Sequence, residues 1–313
     1  MSKGNKGMND PGRFGFMKVA PAFSIASLAL IIICTGIIMG RGFKYGIDFA
    51  GGTEVQVQFA SKPPVGEIRS FLEDVVGSVM VQSFGEENEV LIRMQMAEGA
   101  SEKEVNEKNN ERIKSVTSGL VEKFSLGNES IRRVDSVGPQ IGAELKTKGM
   151  LAIIYSLIMI LIYVGLRFDY KYAPGAVICL FHDAVITLGI FSLLGKEVNV
   201  QILAAILTII GYSLNDTIVN FDRIRENEVV FKGKDLNFIV NRSINDVLSR
   251  TLLTSVTTLL AVIALWTFAG GVIEDLAFTL GIGVVVGTYS SIYVASPLVI
   301  LTDKLSKQYA QTA

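Results

Sequence analysis

The sequence predicts an α-helical membrane protein with six transmembrane helices and one α+β domain between the first and second helices. Half of the 313 residues are hydrophobic and only 19% are charged, which is too apolar for a soluble protein of this length. The charges are also unevenly distributed, because residues 41–148 hold 14 of the 29 basic and 17 of the 30 acidic residues. A charged block between long apolar runs indicates a soluble domain inserted into a membrane protein.

Six apolar segments are about as long as the roughly 20 residues that a helix needs to cross a bilayer. The predicted division is an N-terminal segment at 1–19, spans at 20–40, 149–166, 174–194, 199–221, 250–269 and 275–301, the α+β domain at 41–148, a loop at 222–249 and a tail at 302–313. The first apolar span, at 20–40, is long for the hydrophobic region of a signal peptide and lacks a clear A-x-A cleavage site, so we expect it to be retained. The loop contains an apolar stripe that predicts an amphipathic helix lying in the membrane interface.

The α+β domain shows the element order strand–helix–strand–strand–helix–strand. Val55, Val57 and Phe59 alternate as in a strand, and Ser101 with Glu104 forms a capping box that opens the second helix. This order predicts a ferredoxin-like, split βαβ arrangement. The domain has no histidine or cysteine, so we expect a binding or docking module without a metal site.

The basic residues predict the orientation of the chain in the membrane. The N-terminal segment, the loops at 167–173 and 222–250, and the tail together hold 14 Lys and Arg, whereas the two short loops on the opposite side hold only Lys196. By the positive-inside rule both termini are cytoplasmic and the α+β domain lies outside.

Two acidic residues, Asp183 and Asp216, fall well inside predicted spans, where a charge costs several kcal/mol and suggests a functional site. Asp216 follows Asn215 in the fourth span, and Arg250 opens the fifth span from the same side of the membrane. A carboxylate that is ionised beside arginine and neutral when buried alone can carry a proton. The alternatives are that Asp216 snorkels to the headgroups and that Arg250 is an ordinary positive-inside anchor.

Other polar and small residues within the spans allow more than one interpretation. The pair His182 and Asp183 fits a proton relay and a buried packing pair equally well. Gly283, Gly287 and Ser291 follow each other at four-residue spacing, which is typical of close helix packing. The hydroxyl-rich fifth span either lines a hydrated path or bonds back to its own helix.

Composition excludes several classes of function. A single histidine rules out an HExxH metalloprotease, and the two cysteines, both in apolar runs, cannot build a disulfide framework or a zinc cluster. The net charge of −1 gives no general attraction to nucleic acid. The apolar composition makes membrane lipids the expected surroundings. The sequence shows no nucleophile paired with a base, so we do not expect an enzyme.

Six stretches spread over nearly the whole chain resemble the SecF family, whose members are the smaller subunits of the SecDF complex of bacterial protein export. They are GIDFAGGTEVQVQF (46–59), VGPQIGAEL (137–145), HDAVITLGIF (182–191), AAILTIIGYSLNDTIVNFDRIRE (204–226), SRTLLTSVTTLL (249–260) and VVGTYSSIYVASPLV (285–299). The resemblance implies membership of the RND superfamily, with the six helices forming half of an RND-type bundle in the bacterial inner membrane.

The resemblance also implies a function and partners. It implies that the chain works with SecD to use the proton motive force for export and release of preproteins on the periplasmic side. It further implies contacts with the SecYEG translocon, the exported preprotein and YajC. Asp216 and Arg250, together with the adjacent Asn215, are the residues expected to take part in proton transport, with no cofactor other than the proton. Two alternatives remain open: a structural docking subunit without proton coupling, and an RND-like exporter of lipids or small molecules.

Overall fold

The computed structural model describes residues 10–84, 88–97, 102–169, 171–269 and 272–312. The predicted capping box depends on Ser101, which lies outside the described residues, as do the first nine residues of the N-terminal segment and part of the turn before the sixth span. Within the described ranges the chain forms a helical bundle and a separate small sheet domain.

The elements follow in a simple order along the chain. The helices are α1 (Phe16–Arg41), α2 (Ile47–Ala50), α3 (Val65–Val76), α4 (Glu102–Lys123), α5 (Pro139–Arg167), α6 (Ala173–Leu194), α7 (Val200–Val230), α8 (Leu236–Phe268), α9 (Val272–Ser290) and α10 (Ser296–Thr312). The strands are β1 (Lys44–Tyr45), β2 (Gly52–Gln58), β3 (Val79–Ser83), β4 (Glu89–Met94), β5 (Ile131–Val137) and β6 (Glu197–Val198). A π-helical turn at Ser291–Ala295 joins α9 to α10.

Six helices in the described ranges are long and apolar enough to cross a membrane, so the chain is a multi-pass membrane protein. Helix α6 lies at the centre of the bundle, where 56% of the residues in its apolar stretch are buried. Helices α1 and α5 lie at the edge, where the corresponding share is 11%. The sixth span is a composite of α9, the π-helical turn and the start of α10.

The prediction of a loop at 222–249 with a separate interfacial helix is wrong. Helix α7 continues to Val230, and α8 runs without interruption from Leu236 to Phe268. No glycine or proline lies between 222 and 230 or between 236 and 249, and the turn between the helices contains Gly233 with φ +91°. The charged residues here also pair across the hairpin, since Arg223 bonds to Asp246 through Nε at 3.0 Å and Nη2 at 2.8 Å.

The four-stranded sheet confirms the ferredoxin-like prediction. Its order is β3-β4-β2-β5, and every neighbouring pair is antiparallel. Helices α3 and α4 cover one face, where their apolar side chains meet the alternating strand residues in a single core. The opposite face carries charged residues such as Glu54 and Arg93, which are Cα partners in β2 and β4.

A short connection between α1 and the sheet was not foreseen from the sequence. Strand β1 pairs in parallel with β6, which lies in the turn between α6 and α7. The short helix α2 follows β1 directly in the chain. Gly51 at φ +75° and Gly52 at φ +142° then lead the chain into β2. A side chain at Gly52 would place its Cβ 2.8 Å from the Met94 carbonyl oxygen, so both the backbone angle and the close approach require glycine.

Glycines let α9 pack closely on α7. A Cβ at Gly283 would overlap the side chain of Ile209, and one at Gly287 would lie 3.0 Å from Ser213 Cβ. The side chains of Ile209 and Ser213 therefore pack directly on the backbone of α9, a close contact that is common at small residues in membrane helices.

Replacing Gly287 by leucine is expected to force α7 and α9 apart. We expect Gly287→Leu to lower the free energy of unfolding by about 1–3 kcal/mol, as overpacking of a tight contact does. Thermal unfolding of the purified protein in detergent measures the change. Gly211→Leu is the control, because a Cβ at Gly211 meets nothing within 4 Å. Equal stability of the two variants would contradict the close α7–α9 contact.

Candidate functional site

Asp183 lies at the centre of the bundle, where α6, α7 and α9 meet, and it is fully buried. Its Oδ2 accepts hydrogen bonds from Ser213 Oγ at 2.5 Å and from Ser290 Oγ at 2.9 Å. Its Oδ1 is hydrogen-bonded to His182 Nδ1 at 2.8 Å. Both carboxyl oxygens are therefore satisfied by side chains from three helices.

The polar cluster around Asp183 extends to a fourth helix through aromatic rings. His182 is also fully buried, and its ring stacks on Tyr289 at a centroid distance of 6.2 Å and an angle of 26°. The Tyr289 hydroxyl donates to the Phe23 carbonyl oxygen at 2.9 Å and lies 2.7 Å from Ser27 Oγ, both in α1. His182 Nε2 has no hydrogen-bond partner.

Asp216 has a different environment, almost one turn after Ser213 along α7. The residue is buried, with only 3% of its surface exposed, and its Oδ2 has no hydrogen-bond partner. On the facing helix α8, the buried Thr251 Oγ1 also lacks a partner, and Ser255 beside the carboxyl forms a 2.7 Å contact with Thr288 Oγ1 of α9. Leaving a buried polar atom unsatisfied costs about 1–3 kcal/mol, and more when the group is charged.

Arg250 lies at the same depth in the bundle as Asp216. The turn that joins α7 to α8 lies between Val230, where α7 ends, and Leu236, where α8 begins. Asp216 and Arg250 are the same number of residues away from these two helix ends. At 1.5 Å per residue, both are about 21 Å from that turn. Arg250 is therefore well inside a continuous helix, of which the predicted span 250–269 forms the C-terminal part.

The structure does not join Asp216 and Arg250 in an ion pair; among the residues that it describes, the bridges of this hairpin form between other partners. The Arg250 side chain is exposed on the surface of the bundle, and it acts on Asp216 only as a nearby charge. Asn215 is also exposed, away from the buried carboxyl.

The other residues on the Asp216 face of α7 link neighbouring helices. Tyr212 donates from its hydroxyl to Thr258 Oγ1 of α8 at 3.4 Å, and Asn220 Nδ2 donates to the Ser291 carbonyl oxygen at 3.4 Å. Ser291 begins the π-helical turn, and its carbonyl oxygen also accepts from Ser296 Oγ at 2.8 Å. On α8, Thr254, Thr257 and Thr258 bond back to carbonyl oxygens of their own helix.

Sequence reasoning missed the serines that satisfy Asp183. Ser213 and Ser290 are far from Asp183 and from each other in the sequence, and only the packing of α7 on α9 brings both to one carboxylate. The signal that could have identified Ser213 and Ser290 is the presence of small hydroxyl residues within apolar runs. Across the described ranges, no three His, Cys, Asp or Glu side chains come together in a group that could hold a metal ion.

Comparisons with known proteins agree over most of the chain. A model described as protein export membrane protein SecD/SecF, C-terminal, matches residues 117–305, and a model of the SecD/SecF GG motif matches residues 36–62. The protein translocase subunit SecF of Calditerrivibrio nitroreducens is 43% identical over 296 residues, covering 94% of this chain and 95% of that protein. The SecF subunit of Magnetococcus marinus is 46% identical over 288 residues, covering 90% of each.

Two solved structures share the fold. The crystal structure of SecDF from Thermus, described as a translocon-associated membrane protein, matches with a TM-score of 0.82 and 35% identity over 95% of this chain. A SecDF structure in a super-membrane-facing form matches with a TM-score of 0.69 and 36% identity over 96% of this chain. The chain spans only 39% and 40% of those two SecDF chains.

Removing the donors of Asp183 tests whether its cluster is structural or a proton relay. Ser213→Ala and Ser290→Ala each leave Asp183 without one hydrogen bond, and we expect each to lower the free energy of unfolding by about 1–3 kcal/mol. Thr208→Ala is the matched control, because this exposed threonine bonds only to the Ala204 carbonyl oxygen of its own helix. Unchanged thermal unfolding together with a shifted pH profile of activity would instead favour the relay.

Proposed function

The chain belongs to the SecF family of protein-export membrane proteins, with an accessory role in Sec translocation, and we propose that it carries protons through Asp216 to drive that role. In this proposal, passage of protons down the proton motive force promotes export and release of preproteins on the periplasmic side. The coupling ion is the proton, no other cofactor takes part, and the chain catalyses no covalent reaction.

The observation that carries the proposal is the contrast between the two buried carboxyls. Asp183 has hydrogen-bond partners on both of its carboxyl oxygens. Asp216 has a buried oxygen with no hydrogen-bond partner; in this proposal its charge is removed by a proton or balanced by a cation. A carboxyl with two such alternatives is suited to bind and release a proton.

Arg250 is the cation that the proposal assigns to the ionised state. It lies at the same depth as Asp216 on the neighbouring helix, and a rotation or shift of α8 would bring the guanidinium to the carboxylate. Asp216 is ionised while paired with Arg250 and protonated while separated from it. Alternation between these two arrangements moves one proton per cycle.

SecD is the partner of this chain, as the match to SecDF supports. The chain corresponds to about two fifths of the SecDF polypeptide, so the remainder of the proton path lies on the partner. The exposed side chains of Arg250 and Asn215 face away from the core of this chain, and we place SecD against them. The SecYEG translocon, the exported preprotein and YajC are the further proposed partners.

The proposed setting is the bacterial inner membrane with both termini in the cytoplasm. The turn between α7 and α8 and the two termini then lie on the cytoplasmic side, and the sheet domain lies in the periplasm. The 14 basic residues of the short cytoplasmic segments against Lys196 on the other side support this orientation.

Neutralising Asp216 tests the proton-carrier proposal. Asp216→Asn keeps the size of the side chain but cannot ionise, and Arg250→Met removes the counter-charge. We expect both variants to assemble with SecD and to lose the gradient-dependent part of precursor export in membrane vesicles. The measurement is export with and without a proton gradient.

Asp222→Asn is the matched control for this test. It makes the same chemical change on the same helix, at a carboxylate that pairs with Arg167 at 3.0 Å on the exposed surface. Full gradient-dependent export by Asp216→Asn would reject the proton carrier and leave a structural docking subunit as the function.

Cysteine labelling tests the proposed orientation. With Lys196→Cys, a membrane-impermeant maleimide is expected to react from the periplasmic side, and with Lys232→Cys it should react only after the cytoplasmic side is opened. Background labelling is low, since Cys34 and Cys179 are both buried. The reverse pattern would invert the topology and the direction of proton flow.

A further inference from the structure

The turn between α6 and α7, residues 195–199, connects the membrane helices to the sheet domain. Its strand β6 pairs with β1, and the Gly46 N–H donates to the Val198 carbonyl oxygen at 2.9 Å. At the start of α7, the Val200 N–H donates to Asp48 Oδ2 of α2 at 3.0 Å. The end of the helix that carries Asp216 is therefore bonded to the segment that enters the sheet.

The same turn is also held on its other side by α9. Lys196 forms an ion pair with Asp275 and lies over the Phe278 ring, with Nζ 4.9 Å from the centroid. Farther along the same helix, α9 contributes Thr288 to the surroundings of Asp216. The turn thus touches the outer ends of two helices that enclose the proposed proton site.

Arg93 of β4 connects the open face of the sheet to this turn. Its Nε lies 2.5 Å from Glu54 Oε2 of β2, and its Nη1 forms an ion pair with Glu197 of β6. In the part of the chain that the structure describes, this is the one ion pair between the four-stranded sheet and the α6–α7 turn. One guanidinium is therefore shared by a carboxylate of its own domain and a carboxylate of the membrane part.

This sharing allows the contact between domain and turn to break without leaving the Arg93 guanidinium unpaired. If the domain moves away from the turn, Arg93 keeps its cross-strand partner Glu54. Glu197 then faces a polar cleft of about 510 Å³ between the sheet and the helix ends, which both signs of charge line. Water can enter a cleft of this size and polarity and solvate the released carboxylate.

We propose that the Arg93–Glu197 ion pair is a breakable latch through which movement of α7 is passed to the sheet domain. The latch closes when Glu197 docks on Arg93 and opens when α7 and its turn shift. From Val200 to Asp216 the connection is continuous helix, about 24 Å long at the α-helical rise per residue. The inference rests on the proposed proton-carrier function, since Asp216 supplies the movement.

A reversible disulfide in place of the latch tests the proposal. The chain with Arg93→Cys and Glu197→Cys, assembled with SecD in membrane vesicles, is oxidised to lock the sheet to the turn. We expect the oxidised form to lose gradient-dependent export and reduction to restore it to the level of the Arg93→Cys single variant. The matched control is the pair Glu54→Cys and Arg93→Cys, which cross-links two strands of the same sheet and is expected to show equal export when oxidised and reduced.

Each outcome decides the question. Equal export by the oxidised and reduced lock overturns the latch, and so does complete loss of export in the Arg93→Cys single variant, which would make the contact a permanent structural bond. Asp216→Asn is measured in parallel. If it loses gradient-dependent export while the oxidised lock retains it, only the latch fails; if it retains export, the proton-carrier function fails first.

Discussion

The buried carboxylate of Asp183 is the interaction on which the membrane bundle depends. An apolar helix surface gives little direction to packing in a membrane, because lipid tails are as apolar as the side chains. Hydrogen bonds to a buried carboxylate are directional, and here they come from α6, α7 and α9 at once. The cost of leaving this group unsatisfied fixes the mutual rotation of the three helices, and the glycines of α9 allow the close approach that the short bonds require.

Beside its contact with Asp183, α7 also packs against α8. Ser213 points to Asp183, whereas Asp216, almost one helical turn later, faces the groove between α8 and α9. The α7–α8 hairpin is in turn held at the turn end by Arg223, Asp246 and Asn227, whose bonds set the two helices in register. This register places Arg250 at the depth of Asp216. The satisfied carboxyl thus orients three helices, and the carboxyl with an unsatisfied oxygen lies where α7 meets α8.

The contacts between domain and membrane helices differ in kind from those inside the bundle. Backbone bonds between β1 and β6 and the bond from Val200 to Asp48 hold the connecting segment itself. The sheet, in contrast, reaches the turn through the shared guanidinium of Arg93 across a polar cleft. The domain is therefore attached by backbone hydrogen bonds at its base and by side-chain charges at its face.

The sequence by itself determined the six spans, the ferredoxin-like domain and the two intramembrane acids, because these follow from local apolar length, from periodicity and from the rarity of charge in a membrane. It misplaced the segment 222–249, since the charged residues there resemble a loop until their partners across the hairpin are known. Only the tertiary structure separated the roles of Asp183 and Asp216. Whether a buried carboxyl is satisfied depends on donors such as Ser290 from distant parts of the chain, and the sequence around the carboxyl does not contain them.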